Sequence, residues 1–169
     1  MGLKQSLPRT LGRVVLIAGL VAAAGDAALC QDQSAATPQD AINARKLVMD
    51  TIDDHMNAIE EMTNSGKPVD LAKGNEHADT ISVLLSAFPH LFPPSTNLWK
   101  AGGQHDPAAD TDASPDIWKN FADFYKLASG ASKLAYDASR AKQDGDFKKA
   151  VASLRTDCNA CHSAYMKTD

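Results

Sequence analysis

Proline sorts this chain. From residue 31 onward it stands at positions 38, 68, 89, 93, 94, 107 and 115, and nowhere after 115. A proline inside a helix removes a hydrogen bond and clashes with the preceding turn, at a cost of about 3 kcal/mol. Long helices therefore fit only in the proline-free intervals, and each interval carries apolar residues at helical spacing. Thr37-Pro38 predicts the first helix start, with Thr37 as N-cap, Pro38 at the first helical position and Asp40 in the first turn. Its stripe is Ile42, Val48/Met49, Ile52, Met56, Ile59 and Met62, and Asn64-Ser65-Gly66 ends it. A second helix follows Pro68, with Leu71, Ala78, Ile81, Leu84/Leu85 and Phe88 on one face, and stops before Pro89. A third begins at Ser114-Pro115-Asp116 and runs through Ile117, Phe121, Phe124, Ala128, Ala131, Ala135 and Ala138. Asp144-Gly145-Asp146 reads as a break, and a fourth helix follows from about Phe147 to Met166. With no alternating β pattern, the expectation is all-α: an antiparallel four-helix bundle. The segment 89–113 is a long irregular connection, of the kind that crosses between bundle ends or carries function.

The first thirty residues belong to a different class. Lys4, Arg9 and Arg13 precede an unbroken run of apolar residues and glycine from Val14 to Ala24, then small residues. This is the pattern of a secretory signal peptide, with an apolar core short for a membrane span. Cleavage sites are readable after Ala24, Ala27 or Cys30; an uncleaved anchor is the competing reading. Cys30 follows Leu29, where a lipoprotein cysteine usually follows a small residue, so it is taken as part of the signal. Residues 31–169 are then the working domain, exported to the periplasm, with no stable membrane span after processing. The whole chain carries 17 Lys+Arg against 21 Asp+Glu. Removing Lys4, Arg9, Arg13 and Asp26 leaves 14 against 20, a net charge of −6. Such a domain has no basic excess for nucleic acid. It suits partners with basic patches, in contacts that weaken with salt.

The chemistry is concentrated at Cys158-Asn159-Ala160-Cys161-His162, a C-x-x-C-H sequence. That is the attachment signature of c-type haem. Residues three apart share a helix face, so two thiols can reach two vinyl groups on one porphyrin edge. The histidine is rotated by about 100° and can turn its imidazole toward the iron as the proximal ligand. One covalent haem c would then lie against the C-terminal helix, replacing side chains in the bundle core. A zinc site would need four ligands, and only the scattered His55, His77, His90 and His105 remain. A thioredoxin-type pair wants a βαβ setting and a helix N-terminus. A disulfide between residues this close would constrain little chain.

With these residues in view, the chain resembles the class II cytochromes c, the cytochrome c-prime group, over its whole mature length. Residues 158–165, C-N-A-C-H-S-A-Y, look like the family's C-x-A-C-H-x-x-Y. Pro115-Asp116-Ile117-Trp118 is similar to its P-E-I-W, Leu91-Phe92-Pro93-Pro94 to its exit from helix two, and Arg45 with Met49 to its R-x-x-x-M. The family often has a basic residue four places after the haem histidine; here Met166 stands there, followed by Lys167.

The resemblance implies that the first helix covers the distal haem face. A methionine four places after the arginine implies a low-spin, six-coordinate electron carrier with His162 and Met49 as axial ligands. An aliphatic residue there implies a five-coordinate iron that binds NO or CO. Met49 also lies on an apolar stripe, where methionine often serves as core filler, as Met56 and Met62 are read. Arg45 is the candidate partner of a haem propionate, against a solvated helix charge. The expectation is therefore a one-electron carrier rather than an enzyme. A five-coordinate NO/CO binder is the alternative, and a non-haem exported helical bundle the remote one. His55 and His77, beside Asp54 and Glu76, are taken as surface residues, and bis-histidine ligation is a minor reading. Trp118, Phe121, Phe124 and Tyr125 are read as core or haem-edge packing. The resemblance also implies a homodimer through the first two helices, although Asp53-Asp54 and Glu60-Glu61 read equally as a solvated face.

Overall fold

The computed structural model describes residues 37–102, 106 and 110–167. The expected signal peptide with its Cys30, and also His105, lie outside the described residues. Helix α1 spans Pro38–Asn64, α2 Leu71–Ala87, α3 Asp116–Lys119, α4 Phe121–Ser139 and α5 Asp144–Tyr165. Among the described residues the only β feature is an isolated antiparallel bridge between Ala113 and Met166.

Helix α1 starts where the local chemistry says it should. The Thr37 hydroxyl accepts from the Asp40 amide while the Asp40 carboxylate accepts from the Thr37 amide, a reciprocal capping box. Gly66, at φ 71°, makes the turn that follows. Short connections make α1 and α2, and α4 and α5, antiparallel neighbours. Between α2 and α4 the contacts run in opposite order: Ser132 Oγ donates to Ser82 O, and Arg140 pairs with Asp79. The main core is aliphatic and small: Ile52, Met56, Ile59, Ala78, Ile81, Ala131, Ala135, Val151 and Leu154. Phe147 completes it, fully buried, with its ring seated on Gly74 so closely that a Cβ there would lie 2.7 Å from Cζ. Gly74 is thus the position that lets α5 approach α2.

Three boundaries differ from expectation. The predicted third helix is broken at Asn120 (φ −123°, ψ 41°) into α3 and α4. The break shifts the helical phase, so Phe121, placed on the buried stripe by spacing, is 39% exposed while Phe124 is 2%. Asp144-Gly145-Asp146 does not separate helices; it forms the first turn of α5. Acids suit a helix N-terminus, and Asp144 also accepts a hydrogen bond from the Val69 amide at 2.9 Å. Finally, the described residues of the long connection do not cross the bundle. They form two 3₁₀ turns, Phe88–Leu91 and Pro94–Thr96, and stay at one end. There Phe88, Phe92, Ile117, Phe124 and Tyr165 form a second, aromatic cluster. Ser114 N donates to Tyr165 O at 2.9 Å and Lys167 N to Asp112 O at 2.8 Å, fastening the connection to the end of α5.

Candidate functional site

At the aromatic end of the bundle lies a half-open cavity of about 380 Å³. Helix α1 supplies Arg45, Met49 and Met56 to its wall; α4 supplies Phe124, Leu127 and Ala128. The C-x-x-C-H residues of α5 supply the rest: Cys158, Cys161 and His162 all line it. Every site residue expected from sequence is therefore brought to one cavity. The two cysteines are half-buried, unbonded thiols one helical turn apart, with Leu154 and Tyr165 buried on the same face. His162 is exposed, as its rotation from the buried face requires.

Burial pushes the Cys161 thiol up to about 11. Cys158 is also raised by burial, against the opposing pull of Arg155. Neutral thiols in an apolar wall are poor redox nucleophiles. Among the described residues no set of three or more His, Cys, Asp or Glu could hold a metal ion. The zinc and thioredoxin readings therefore find no support in the cavity.

Arg45 is not a solvated helix charge: it is 4% exposed. Its Nη1 donates to Thr96 Oγ1 at 2.8 Å and to Leu91 O at 3.4 Å; its Nη2 donates to Thr111 Oγ1 at 3.1 Å. The guanidinium also lies over the Phe92 ring, 4.5 Å from the centroid. All three of those partners are neutral, and burial lowers its pKa to about 10, so it stays cationic at neutral pH. A buried cation held by neutral acceptors at a cavity wall fits an anionic group on a ligand. The apolar walls, the paired thiols and this cation together suit a porphyrin with propionate arms. Sequence reading missed Thr96 and Thr111, which stand 51 and 66 residues from Arg45 and carry no local signal.

Met49 is half-buried and packs against both hydrophobic clusters. Met56, read as core, is 1% exposed and also borders the cavity. Trp118 donates its indole N–H to Phe92 O at 3.2 Å. Tyr125, at 43% exposed, is not core. Glu60 is not part of a solvated face, since Arg155 grips it with bonds of 2.6 and 2.7 Å. His55 and His77 are not surface residues either. They are half-buried and face each other, with Nδ1 atoms 2.7 Å apart. Burial, then the neighbouring His77, pushes His55 below its usual range, while Asp54 pulls it up.

Residues 40–166 match the family model for cytochrome c′. The chain belongs to the cytochrome c′ family. It is 33% identical over 129 residues to a cytochrome c-556 of Agrobacterium tumefaciens (strain II Chrys), covering 73% of this chain and 94% of that protein. It is 29% identical over 134 residues to a cytochrome c′ of Pararhodospirillum photometricum, covering 77% and 98%. Among solved structures, cytochrome c′ from Rubrivivax gelatinosus aligns with a TM-score of 0.64 at 25% identity, covering 78% of this chain and 98% of that one. The family sets the cofactor: this is a c-type haem protein, and covalent haem c is what a C-x-x-C-H in this fold carries. The four-helix architecture expected from sequence is likewise that of the family, with the third helix divided. No described helix is long and apolar enough to cross a membrane.

Proposed function

We propose that this protein is an exported, periplasmic haem protein that holds haem c in the α1–α4–α5 cavity. In this reading the Cys158 and Cys161 sulfurs are the thioether anchors and His162 is the proximal iron ligand. Arg45, kept in place by Thr96 and Thr111, pairs with a propionate. The haem supplies one iron that changes oxidation state or takes a small ligand. The surrounding aromatic and aliphatic walls give it an apolar seat, and in this reading the chain turns over no substrate. The observation that carries this reading is the convergence of Cys158, Cys161, His162 and Arg45 on one cavity.

The sixth iron position separates two activities. In the first the distal face is open and binds NO or CO. It is supported by the family, whose cytochrome c′ members are typically five-coordinate and high-spin. It is also supported by a relative of the same fold described as the nitric oxide complex of a mutant cytochrome c prime from Alcaligenes xylosoxidans. In the second, Met49 ligates the iron and the protein shuttles single electrons; it is supported by Met49 lying in the α1 wall. The comparisons weigh toward the first. Optical and EPR spectra at neutral pH decide between them. An open site gives a high-spin ferric spectrum that Met49→Leu leaves unchanged, and rapid CO binding to the ferrous form. Met49 ligation gives a low-spin spectrum that Met49→Leu converts to high-spin.

Two partner readings belong to the same proposal. The carboxylates of Asp50, Asp53 and Asp157 at the cavity support a redox partner with a basic patch. Leu47 and Val83, 68% and 62% exposed on α1 and α2, support a homodimer. Sedimentation checks both: a dimeric mass for the protein alone, and salt-sensitive association with a basic redox protein. A monomer at high micromolar concentration, or salt-insensitive association, sinks the corresponding reading.

A further inference from the structure

Helix α1 forms one wall of the cavity and α5 another, yet these two helices meet only sparsely. The bulk of the packing is α1 on α2, α2 on α4 and α4 on α5. Two polar ties join α1 to α5, one toward each end of the cavity. At the aromatic end Arg45 of α1 donates to Thr111 Oγ1 at 3.1 Å, and the segment carrying Thr111 is fastened to the end of α5 where Lys167 N donates to Asp112 O. At the other end Arg155 of α5 grips Glu60 of α1 directly. Its Nε donates to Oε1 at 2.6 Å and its Nη2 to Oε2 at 2.7 Å. Arg155 itself lines the cavity, and stands three residues before Cys158. Glu60 stands 15 residues after Arg45, about 22 Å along the helix at 1.5 Å per residue. Between the two ties Met49, Asp50, Asp53 and Met56 line the cavity.

We propose that Arg155 and Glu60 are positioning residues, whose two-point pair fixes how far α1 stands from α5 and so how much room lies over the sixth iron position. The inference rests on the haem reading and deepens it. A fork-on-fork pair sets angle as well as distance, which a single hydrogen bond does not. The two side chains are 34% and 28% exposed, so water and salt screen them less than a surface pair. Asp53, two turns before Glu60 on α1, also pulls electrostatically on the guanidinium. With the pair broken, the α1 wall that carries Met49 is tied to the α5 side at its aromatic end alone. The α1–α2 core, with Ile52, Met56, Ile59 and Ile81, stays in place. The helix therefore remains folded and shifts slightly outward, and the consequence is easier entry of a small ligand rather than loss of the fold.

The test compares the haem-loaded protein with Arg155→Gln, Glu60→Gln and Arg155→Lys by two measurements: CO association with the ferrous form, and amide hydrogen exchange. Arg155→Gln and Glu60→Gln should each raise the CO association rate at least threefold. In both, residues 53–64 should exchange at least threefold faster while α2 and α4 exchange as before. Arg155→Lys keeps the charge but has no planar fork, so it should fall between wild type and Arg155→Gln. A CO rate unchanged or lowered in both neutral variants would overturn the inference, even with a lower melting temperature, because a merely structural tie affects stability without affecting ligand entry. Unaltered exchange over residues 53–64 would overturn it too, and wild-type behaviour of Arg155→Lys would overturn the two-point grip. The haem reading fails separately: a chain with no haem absorption band sinks that reading, whereas unaltered CO kinetics in a haem-loaded variant sink this inference alone.

Discussion

With alanine at both Cys158 and Cys161, the protein is expected to carry no covalent haem. The mass of the denatured chain should fall by one haem, and haem staining on a denaturing gel should vanish. Each single variant should keep one thioether and stain. The reason is local: the thiols lie half-buried in the cavity wall one helical turn apart, and replacing them removes the tethers while leaving the wall's packing nearly intact. His162 and Arg45 remain, so haem held without covalent bonds can persist in the native double variant and is lost on denaturation. A full haem adduct on the double variant would refute the attachment assignment. Far-UV circular dichroism separates this outcome from a chain that never folds.

The second large effect lies at the other end of the bundle. Phe147→Ala is expected to destabilise the holoprotein by about 3–5 kcal/mol, the usual cost of emptying a buried phenylalanine site. Phe147 is fully buried with its ring seated on Gly74, which has no side chain to move into the gap. In a domain of this size the melting temperature should drop on the order of 10 °C. Phe147 does not line the cavity, so the haem spectrum should not move. A loss below about 1 kcal/mol would mean that the core collapses around the deletion. A changed spectrum would mean that the two ends of the bundle are coupled.

How much was legible follows from range in sequence. The α1 start was readable because Thr37, Pro38 and Asp40 act on one another within a single turn. The haem motif was readable for the same reason, its residues being at most four apart. The break at Asn120 was not, because neither Pro nor Gly marks it. On one side of it Ile117 is buried and the Trp118 indole is tied to Phe92 O, 26 residues away. Asp144-Gly145-Asp146 misled because its composition fits a turn and a helix first turn equally, and only the distant Val69 amide selects the helix. Arg45 was reached through the family's pattern, but the threonines that hold it were invisible. The His55–His77 contact was missed likewise, since each histidine was judged by the acid beside it rather than by the helix opposite.

The bridge between Ala113 and Met166 bears on the order in which the molecule can be finished. If the chain is exported as proposed, it leaves the channel from its N-terminal side and presents α1, α2 and α4 early, and these can pair as they emerge. Thr111, however, stands next to Asp112, which takes its backbone partner from Lys167. Leu91 and Thr96 can reach Arg45 earlier, but the segment that carries Thr111 is fastened only once residues 165–167 have emerged, after the cysteines have passed. On that route the last fastening at this end of the bundle is made by the residues that follow the attachment cysteines.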